Sequence, residues 1–423
     1  MLPHVVVVGA GFGGLQCVRR LAGKAVRVTL VDRHNYHLFT PLLYQVASSL
    51  LNPSDIAIPV RAILRRARNV HFRLAEVTRV DFDARRVETT RGSSLDYDWL
   101  VLATGSRTNY FGLEDVARKA IPLKDLPDAM ALRNHVLACF EVAVLEPDPE
   151  QSSRWMTFVV AGGGPTGVEF AGALSELFRL VLARDFPDLD VSRARVVLIE
   201  ALDRLLASFP AELGRYAQRE LERRGIEVRL GARVTGWRGE QVELETGPPI
   251  PARTLVWCAG VRPAAVGGEP DPRGGPAGRI AVDRDLRIAG RERELAVGDV
   301  AAALADGNVL PMMAPPAMQA GRHAAENILR AVRGEPLRPF VYRDKGVMAT
   351  IGRSAGVAAI GRLRLKGWLG WLGWLVVHLY YLIGFRNRLA VLFGWAWDYF
   401  RYDRPIRLIA RAAPDASTPT RRS

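Results

Sequence analysis

His4-Val5-Val6-Val7-Val8-Gly9-Ala10-Gly11-Phe12-Gly13-Gly14 decides the fold. An apolar run of strand length passes directly into a glycine turn. A helical stretch Leu15 to Leu21, a second strand Val26 to Val31 and then Asp32 follow. Strand, tight turn, helix, strand and acid in this order form the pattern that cradles a dinucleotide. Gly9 permits the turn, Gly11 lets backbone approach a pyrophosphate, and Gly14 lets the helix close on the strand. Free N–H groups at the helix start attract phosphate, and Asp32 stands where an acid accepts hydrogen bonds from a ribose. A glycine turn alone is weak evidence. With the flanking strand, the helix and the acid all in place, an ordinary buried turn is the poorer reading.

The opening then repeats. Met156 to Val160 is a strand and Gly162-Gly163-Gly164-Pro165-Thr166-Gly167 a second glycine turn. A long helix is expected over Val168 to Leu182, then a strand Arg195 to Ile199 closed by Glu200. Two copies of one βαβ unit point to two dinucleotides. The connection Ala183 to Ala194 puts Glu200 further from its glycines than the usual ~20 residues, yet the strand before it is clear. A carboxylate at that place repels a 2′-phosphate and favours NADH over NADPH, with Arg204 weighing the other way. The repeat extends further: the buried strand reaching Ala103-Thr104-Gly105 is echoed by Thr254 to Gly260. Glu294 to Asp299 is a strand whose last residue is an acid at a sheet's carboxyl edge, where open α/β sheets bind ligands.

Between these landmarks the expected elements are shorter. Val60 to Arg66 reads as a short basic helix. Val70 to Ala75, Glu76 to Phe82 and Arg85 to Thr90 read as strands of a meander, and Leu126 to Leu145 as a helix ended by a surface linker, Glu146 to Pro149. Leu213 to Arg224 is a helix stopped at Gly225, followed by a second meander to Gly247 and, later, a Gly/Pro-rich link, Gly267 to Gly278.

Composition narrows the class. A chain of 423 residues with 49% hydrophobic content buries a sizeable core in two or three domains. The three cysteines, Cys17, Cys139 and Cys258, lie far apart. They argue against a disulfide scaffold, a zinc site and a dithiol redox pair, and they fit a reducing compartment. His34, His37, His135, His323 and His378 lack metal-ligand spacing, so no metal is expected. The chain enters a strand within four residues, and no cleaved signal peptide is expected. A net charge of +14 calls for an anionic partner. No nucleic-acid motif is visible, and five of the nine tryptophans follow residue 365, which turns the argument toward an anionic lipid surface.

That C-terminal stretch is informative in its own right. No charged residue occurs from Gly367 to Phe385, while Arg362, Arg364 and Lys366 precede it and Arg386 and Arg388 follow. The length just reaches that of a spanning helix. However, three internal glycines, His378 and two tyrosines interrupt it, and a second aromatic helix, Leu389 to Tyr402, comes next. Aromatic and basic residues favour the headgroup level. The expectation is two interfacial helices on one leaflet; a spanning helix and a soluble dimer contact are the alternatives.

The order of glycine turn, Ala-Thr-Gly, second glycine turn, Val-Gly-Asp and aromatic C-terminus resembles the two-dinucleotide-fold flavoproteins. Within them it is similar to the type II NADH dehydrogenases, single-chain NADH:quinone oxidoreductases that do not pump protons. The more specific stretches are Asn35 to Phe39, Gly163 to Glu169, Asp344 to Gly352 and Tyr381 to Arg388. The resemblance implies a glutathione-reductase-like α/β fold: two Rossmann-like dinucleotide-binding domains plus a C-terminal membrane-associating α region. The expected segments are 1–120 and 269–332 for FAD, 121–268 for NADH, 333–411 for the membrane-associating region and 412–423 for a disordered tail.

The implied FAD-side residues are Gly9, Gly11, Gly13, Gly14, Asp32, Arg33, Thr40, Pro41, Val77, Ala103, Thr104, Gly105, Gly298, Asp299 and Ala317. Those on the NADH side are Gly162, Gly164, Pro165, Thr166, Gly167, Glu200 and Gly260. Asp299 is expected to hold the ribityl chain, and the helix beginning near Pro316 to point its N-terminus at the flavin, where negative charge gathers on reduction. Glu169, expected on the first turn of the second helix where the two cofactors meet, is the candidate for coupling to quinone; the bland reading is a capping acid. Gln319 stands in the quinone-site motif Ala314 to Gly321, in which two glutamines often lie four apart; Pro315 replaces the first. Lys345 is a candidate at the flavin, or a solvated turn lysine. Tyr36, Phe39 and Tyr44 line a flavin or quinone pocket, or simply pack.

The implied activity is hydride transfer from NADH to FAD, then two electrons to a membrane quinone. The implied setting is a peripheral enzyme on the cytoplasmic face of the cell membrane, as a homodimer. The competing readings are a sulfide:quinone oxidoreductase, a soluble-carrier reductase, and a non-catalytic flavin-bearing membrane-surface protein.

Overall fold

Val5 to Val8 and Val28 to Val31 are all buried on both faces, as parallel strands covered by helices must be. The structure, a computed structural model, describes residues 2–90, 92, 94–264, 266–269, 274–401, 404 and 406–409. The tail expected over 412–423 lies outside the described residues. The helices that frame the sites are α1 (Phe12–Leu21), α2 (Leu43–Ala47), α3 (Pro165–Glu176), α4 (Ala314–Val332), α5 (Gly367–Tyr381) and α6 (Phe385–Arg401).

The chain divides into two compact units. One comprises the chain up to Phe39, Ala57–Asn109 and Gly260–Gly346; the other comprises Thr40–Ile56, Tyr110–Ala259 and Val347 onward. The first holds a five-stranded parallel sheet in the order Glu294–Ala296, Trp99–Leu102, His4–Val8, Arg27–Asp32, Val70–Leu74. The second holds its counterpart, Ile121–Pro122, Thr254–Trp257, Thr157–Ala161, Arg195–Ile199, Glu227–Arg229. In each unit a small antiparallel meander is inserted in the chain between two strands of the sheet: Val77–Asp81, Arg86–Thr89 and Ser94–Asp96 before Trp99–Leu102 in the first unit, Val234–Trp237, Gln241–Leu244 and Ile250–Pro251 before Thr254–Trp257 in the second. The duplication therefore covers the whole of each dinucleotide fold.

The second unit also carries a three-stranded antiparallel sheet, Val347–Gly352, Ala355–Ile360 and Leu363–Lys366, with α5 and α6 after it. Residues 40–56 join this unit because Leu42, Leu43, Tyr44, Gln45, Val46 and Ala47 are all buried in it. Residues 333–346 stay with the first unit, held by Gln319 to Arg343 and by Phe340 N–H to the Arg284 carbonyl. The compact units thus cut the chain differently from the expected segments at both places.

Local expectations shift in the same way. Val70–Leu74 and Glu227–Arg229 belong to the parallel sheets rather than to the meanders, since they pair with Arg27–Asp32 and Arg195–Ile199. The helix expected to reach Leu182 is α3 to Glu176 and then a wider π-type turn, Leu177–Leu182. The expected linker at Pro149 opens a short helix, Pro149–Trp155, because Asp148 caps it by accepting from Glu150 N–H. Both cradles depend on one contact. A Cβ on Gly14 would sit 1.8 Å from the Gly9 carbonyl oxygen, and one on Gly167 would sit 1.9 Å from that of Gly162.

A third helix closes on the first cradle. A Cβ on Gly321 in α4 would lie 2.0 Å from the Gly13 carbonyl oxygen of α1. Gly321→Ala must push the two helices apart and should cost about 1–3 kcal/mol. Urea unfolding of the FAD-loaded protein checks this, and an unchanged midpoint would rule the close contact out.

Candidate active site

Each cradle uses its acid in the same way. In the first unit Asp32 accepts from Ala10 N–H at 2.6 Å with one oxygen and from His34 N–H at 2.6 Å with the other. In the second, Glu200 accepts from Gly163 N–H at 2.6 Å and from Leu202 N–H at 2.8 Å. Strand register explains the match. Val8 pairs with Val31 and Ala161 with Ile199, so each acid follows the partner of the residue before the turn. The long connection before Glu200 alters its sequence distance, not its place. Gly9 and Gly162 take φ of +104° and +113°, which a side chain would strain.

The turns deliver two uncapped helix starts. Gly11 and Gly164 are the N-cap residues of α1 and α3, neither makes a side-chain cap, and neither first turn contains an acid. A Cβ on either glycine meets nothing within 4 Å, so open space lies before both. His37, buried, bonds the Ala10 carbonyl through Nδ1 at 2.8 Å and so braces the first turn. Free donors facing open space, with a carboxylate beside them, suit the pyrophosphate and ribose of a dinucleotide.

Around the first cradle, Gly13 faces Val297 and Ala317, a Cβ there lying 3.1 Å from Val297 Cγ2 and 3.3 Å from the Ala317 carbonyl oxygen. This joins the glycine turn to the Gly298–Asp299 corner and to α4. Ser106 Oγ donates to Asp299 Oδ2 at 2.5 Å. The Thr104 hydroxyl is buried and has no partner among the described residues. Helix α4 begins at Ala314 with Pro315 and Pro316 in its first turn, again without an acid or a side-chain cap. An orphaned hydroxyl, an oriented acid and two bare helix starts fit a flavin dinucleotide.

Not every expected residue converges there. Arg33 is exposed, and Val77 opens the meander strand and packs against that unit's core. Thr40 and Pro41 belong to the second unit, whereas Gly260 belongs to the first, its carbonyl accepting from Asn109 N–H at 3.0 Å. Gln319 spends both ends of its amide on Arg343, donating to the carbonyl at 2.9 Å and accepting from the N–H at 3.0 Å. Lys345, exposed, follows on the segment that this bond holds.

Glu169 is a correction to its expected place. It is the fifth residue of α3, past the first turn, and only 8% exposed. It caps nothing in α3; its Oε1 accepts from Thr350 N–H at 3.1 Å. Burial raises its pKa from 4.5 to about 8, opposed by the Thr350 N–H and the Trp374 indole. A cavity of about 60 Å³ beside it is lined by Tyr44, Gln45, Thr350, Trp374, Trp395 and Arg404, among others. Of these, Tyr44 stood out in the sequence as one of three candidate pocket aromatics, and Thr350 lies in the stretch Asp344 to Gly352 that carries the resemblance. Spacing did not bring them together, because 44–45 and 350–404 lie some three hundred residues apart in the chain and Glu169 lies between them.

The thiols are inert and the imidazoles form no metal site among the described residues. Burial pushes Cys17, Cys139 and Cys258 each up to about 12, and no group of three potential metal ligands occurs among the described residues.

Twin parallel sheets, each ending in a bare helix start and an acid, define a two-dinucleotide oxidoreductase. The family profile of the pyridine nucleotide-disulphide oxidoreductases matches residues 3–321. A type II NADH:quinone oxidoreductase of Mycobacterium tuberculosis, NdhA, is 39% identical over 412 residues, covering 94% of this chain and 87% of the relative. One from Staphylococcus aureus is 32% identical, covering 84% and 89%. The structure of NDH2 from Plasmodium falciparum in complex with NADH superposes with a TM-score of 0.89 at 18% identity, over 97% of this chain and 100% of that one. A sulfide:quinone oxidoreductase from Aquifex aeolicus shares the fold at a TM-score of 0.71 and 19% identity, over 94% and 95%. The chain belongs to the type II NADH:quinone oxidoreductases.

The raised carboxyl of Glu169 has a measurable sign. The folded protein holds a proton that the unfolded chain releases between about pH 4.5 and about 8, so the parent loses stability as pH rises through that window and levels off above it. Glu169→Gln lacks this slope. The stability of parent minus variant should fall from acid to about pH 8 in urea titrations, and parallel curves would show the carboxyl is not held protonated.

Proposed function

We propose that this chain oxidises NADH and reduces a membrane quinone as a peripheral, non-pumping enzyme of a respiratory chain. The duplication carries the reading: two cradles of identical strand order and acid placement, one for resident FAD and one for visiting NADH. Bound FAD supplies the two-electron chemistry that links a hydride donor to a quinone.

The chain's own residues bind, orient and supply protons. The start of α1 and Asp32 hold the FAD pyrophosphate and ribose. Thr104 and Asp299, the latter braced by Ser106, hold the chain toward the ring, and the start of α4 presents its positive end to the flavin. Glycines 162, 164 and 167, Pro165, Thr166 and Glu200 do the same for NADH, with the carboxylate disfavouring a 2′-phosphate. Glu169, protonated near neutral pH, gives a proton to the quinone and recovers it from water. Gln319 holds the segment on which Lys345 stands at the flavin-side approach.

The acceptor lives in lipid, and α5 and α6 meet it. Among the described residues no helix is long and apolar enough to cross a membrane. Phe385, Leu389, Phe393, Trp397 and Phe400 recur along one face of α6 and are exposed, Phe393 at 69% and Phe400 at 76%. With Arg362, Arg364, Lys366, Arg386 and Arg388 around them they suit an anionic leaflet on the cytoplasmic face. A homodimer is the assembly expected of such a chain.

The competing readings fit less well. Sulfide chemistry needs two reactive cysteines together, and here Cys17 and Cys139 are buried on separate helices while Cys258 follows a strand of the second sheet. A soluble-carrier reductase has no use for the exposed aromatic face.

Three measurements test the proposal. Flavin absorbance should bleach on adding NADH and return on adding a short-chain quinone; failure to bleach would sink it. Glu169→Gln should slow quinone reduction at least about tenfold with FAD content unchanged, and full turnover would remove the assigned role. Phe393→Glu with Phe400→Glu should leave the protein in the supernatant when anionic vesicles are pelleted, where the parent sediments.

A further inference from the structure

Helix α6 is bound to the second unit by polar side chains on its inner face and just beyond its end. Trp395 Nε1–H donates to Gln45 Oε1 at 2.7 Å. Beyond α6, Arg404, 2% exposed, donates to the carbonyls of Ser48 and Ala173, both at 2.9 Å, and pairs with Glu176 at 3.2 Å. These attachments grip α2 with the residue just after it, and α3, which carries Glu169.

The first attachment continues inward. Gln45 Nε2 donates to the Tyr44 hydroxyl at 2.9 Å, and that hydroxyl lies 3.0 Å from Thr350 Oγ1. Thr350 N–H is in turn the donor to Glu169 Oε1. An indole N–H can only donate, so it fixes which end of the Gln45 amide faces it and turns the NH2 to Tyr44. The Tyr44 hydroxyl accepts there and shares one further hydrogen bond with the Thr350 hydroxyl, in which either group can donate. One donor on α6 therefore sets the sense of both Gln45 bonds, and the row ends on the Thr350 backbone N–H, which can only donate to Glu169. Gln45, Tyr44, Thr350 and Glu169 are all buried, where a broken link leaves a polar group without a partner. The cavity they line has room for water at the carboxyl.

We infer that Tyr44, Gln45 and Trp395 are positioning residues for quinone reduction, holding Thr350 and through it the Glu169 carboxyl in place, so that the seating of α6 is part of the proton-supplying machinery. This rests on the role proposed above for Glu169. In such an arrangement the helix that meets lipid also sets the geometry of the buried acid.

The test uses the full-length, FAD-loaded enzyme and a short-chain quinone in detergent. Trp395→Phe and Tyr44→Phe keep their rings and lose one polar group each. Each should lower kcat about tenfold while KM for NADH is unchanged, and the double variant should be no slower than the slower single, since both break one row. The infrared C=O band that disappears in Glu169→Gln should shift in both single variants. Unchanged kcat, losses that multiply in the double variant, or an unmoved band would overturn the inference. Glu169→Gln run in parallel separates the two ideas. If it slows quinone reduction while both Phe variants turn over normally, only the positioning row fails; if it has no effect, the assigned role of Glu169 fails and the row with it.

Discussion

The structure depends on a helix standing almost in contact with the turn that launches it. The carbonyls of Gly9 and Gly162 press against Gly14 and Gly167 so closely that no side chain fits. That approach draws the starts of α1 and α3 up against their strands. The donors that the helices cannot satisfy themselves are thereby aimed at one point beyond the sheet edge. The adjacent acid does two jobs with two oxygens: one ties the turn to the next strand, and the other accepts from the N–H two residues further on. Because the same arrangement occurs twice, the two units handle chemically similar ligands with the same parts.

Most of that was legible from residue order. The glycine spacing, the valine runs and the closing acids gave both sheets and both cradles, and the short-range periodicity gave the helices to within a few residues. What escaped was anything decided by partners remote in the chain. Val70–Leu74 and Glu227–Arg229 look like meander strands locally and become sheet strands only because a neighbour's edge is open to them. Residues 40–56 fall within the segment 1–120 expected for FAD, yet their apolar side chains find cover in the second unit. The Glu169 environment is the clearest case. Its helix was evident, but its neighbours arrive from residues 44–45, 350, 374 and 395.

Glu169 also shows how one buried carboxyl is kept useful. Buried without a cation, it holds its proton at neutral pH, and the Thr350 N–H and the Trp374 indole steady it without forcing ionisation. Arg404 lies close by, yet its guanidinium is already committed to two carbonyls and Glu176. Pairing the arginine elsewhere leaves the acid titrating in the range where proton exchange is easy in both directions.

The interleaving of the two units has a consequence for biosynthesis. Residues 40–56 leave the ribosome early but belong to a body that also needs the stretch from Val347 onward. The first body in turn waits for Gly260–Gly346, whose strand Glu294–Ala296 forms an edge of its sheet. Neither body can close while the chain is half made. Until the chain from Val347 onward has been made, apolar side chains such as Leu42, Leu43 and Val46 lack the body that covers them, so closure of that body is a late event.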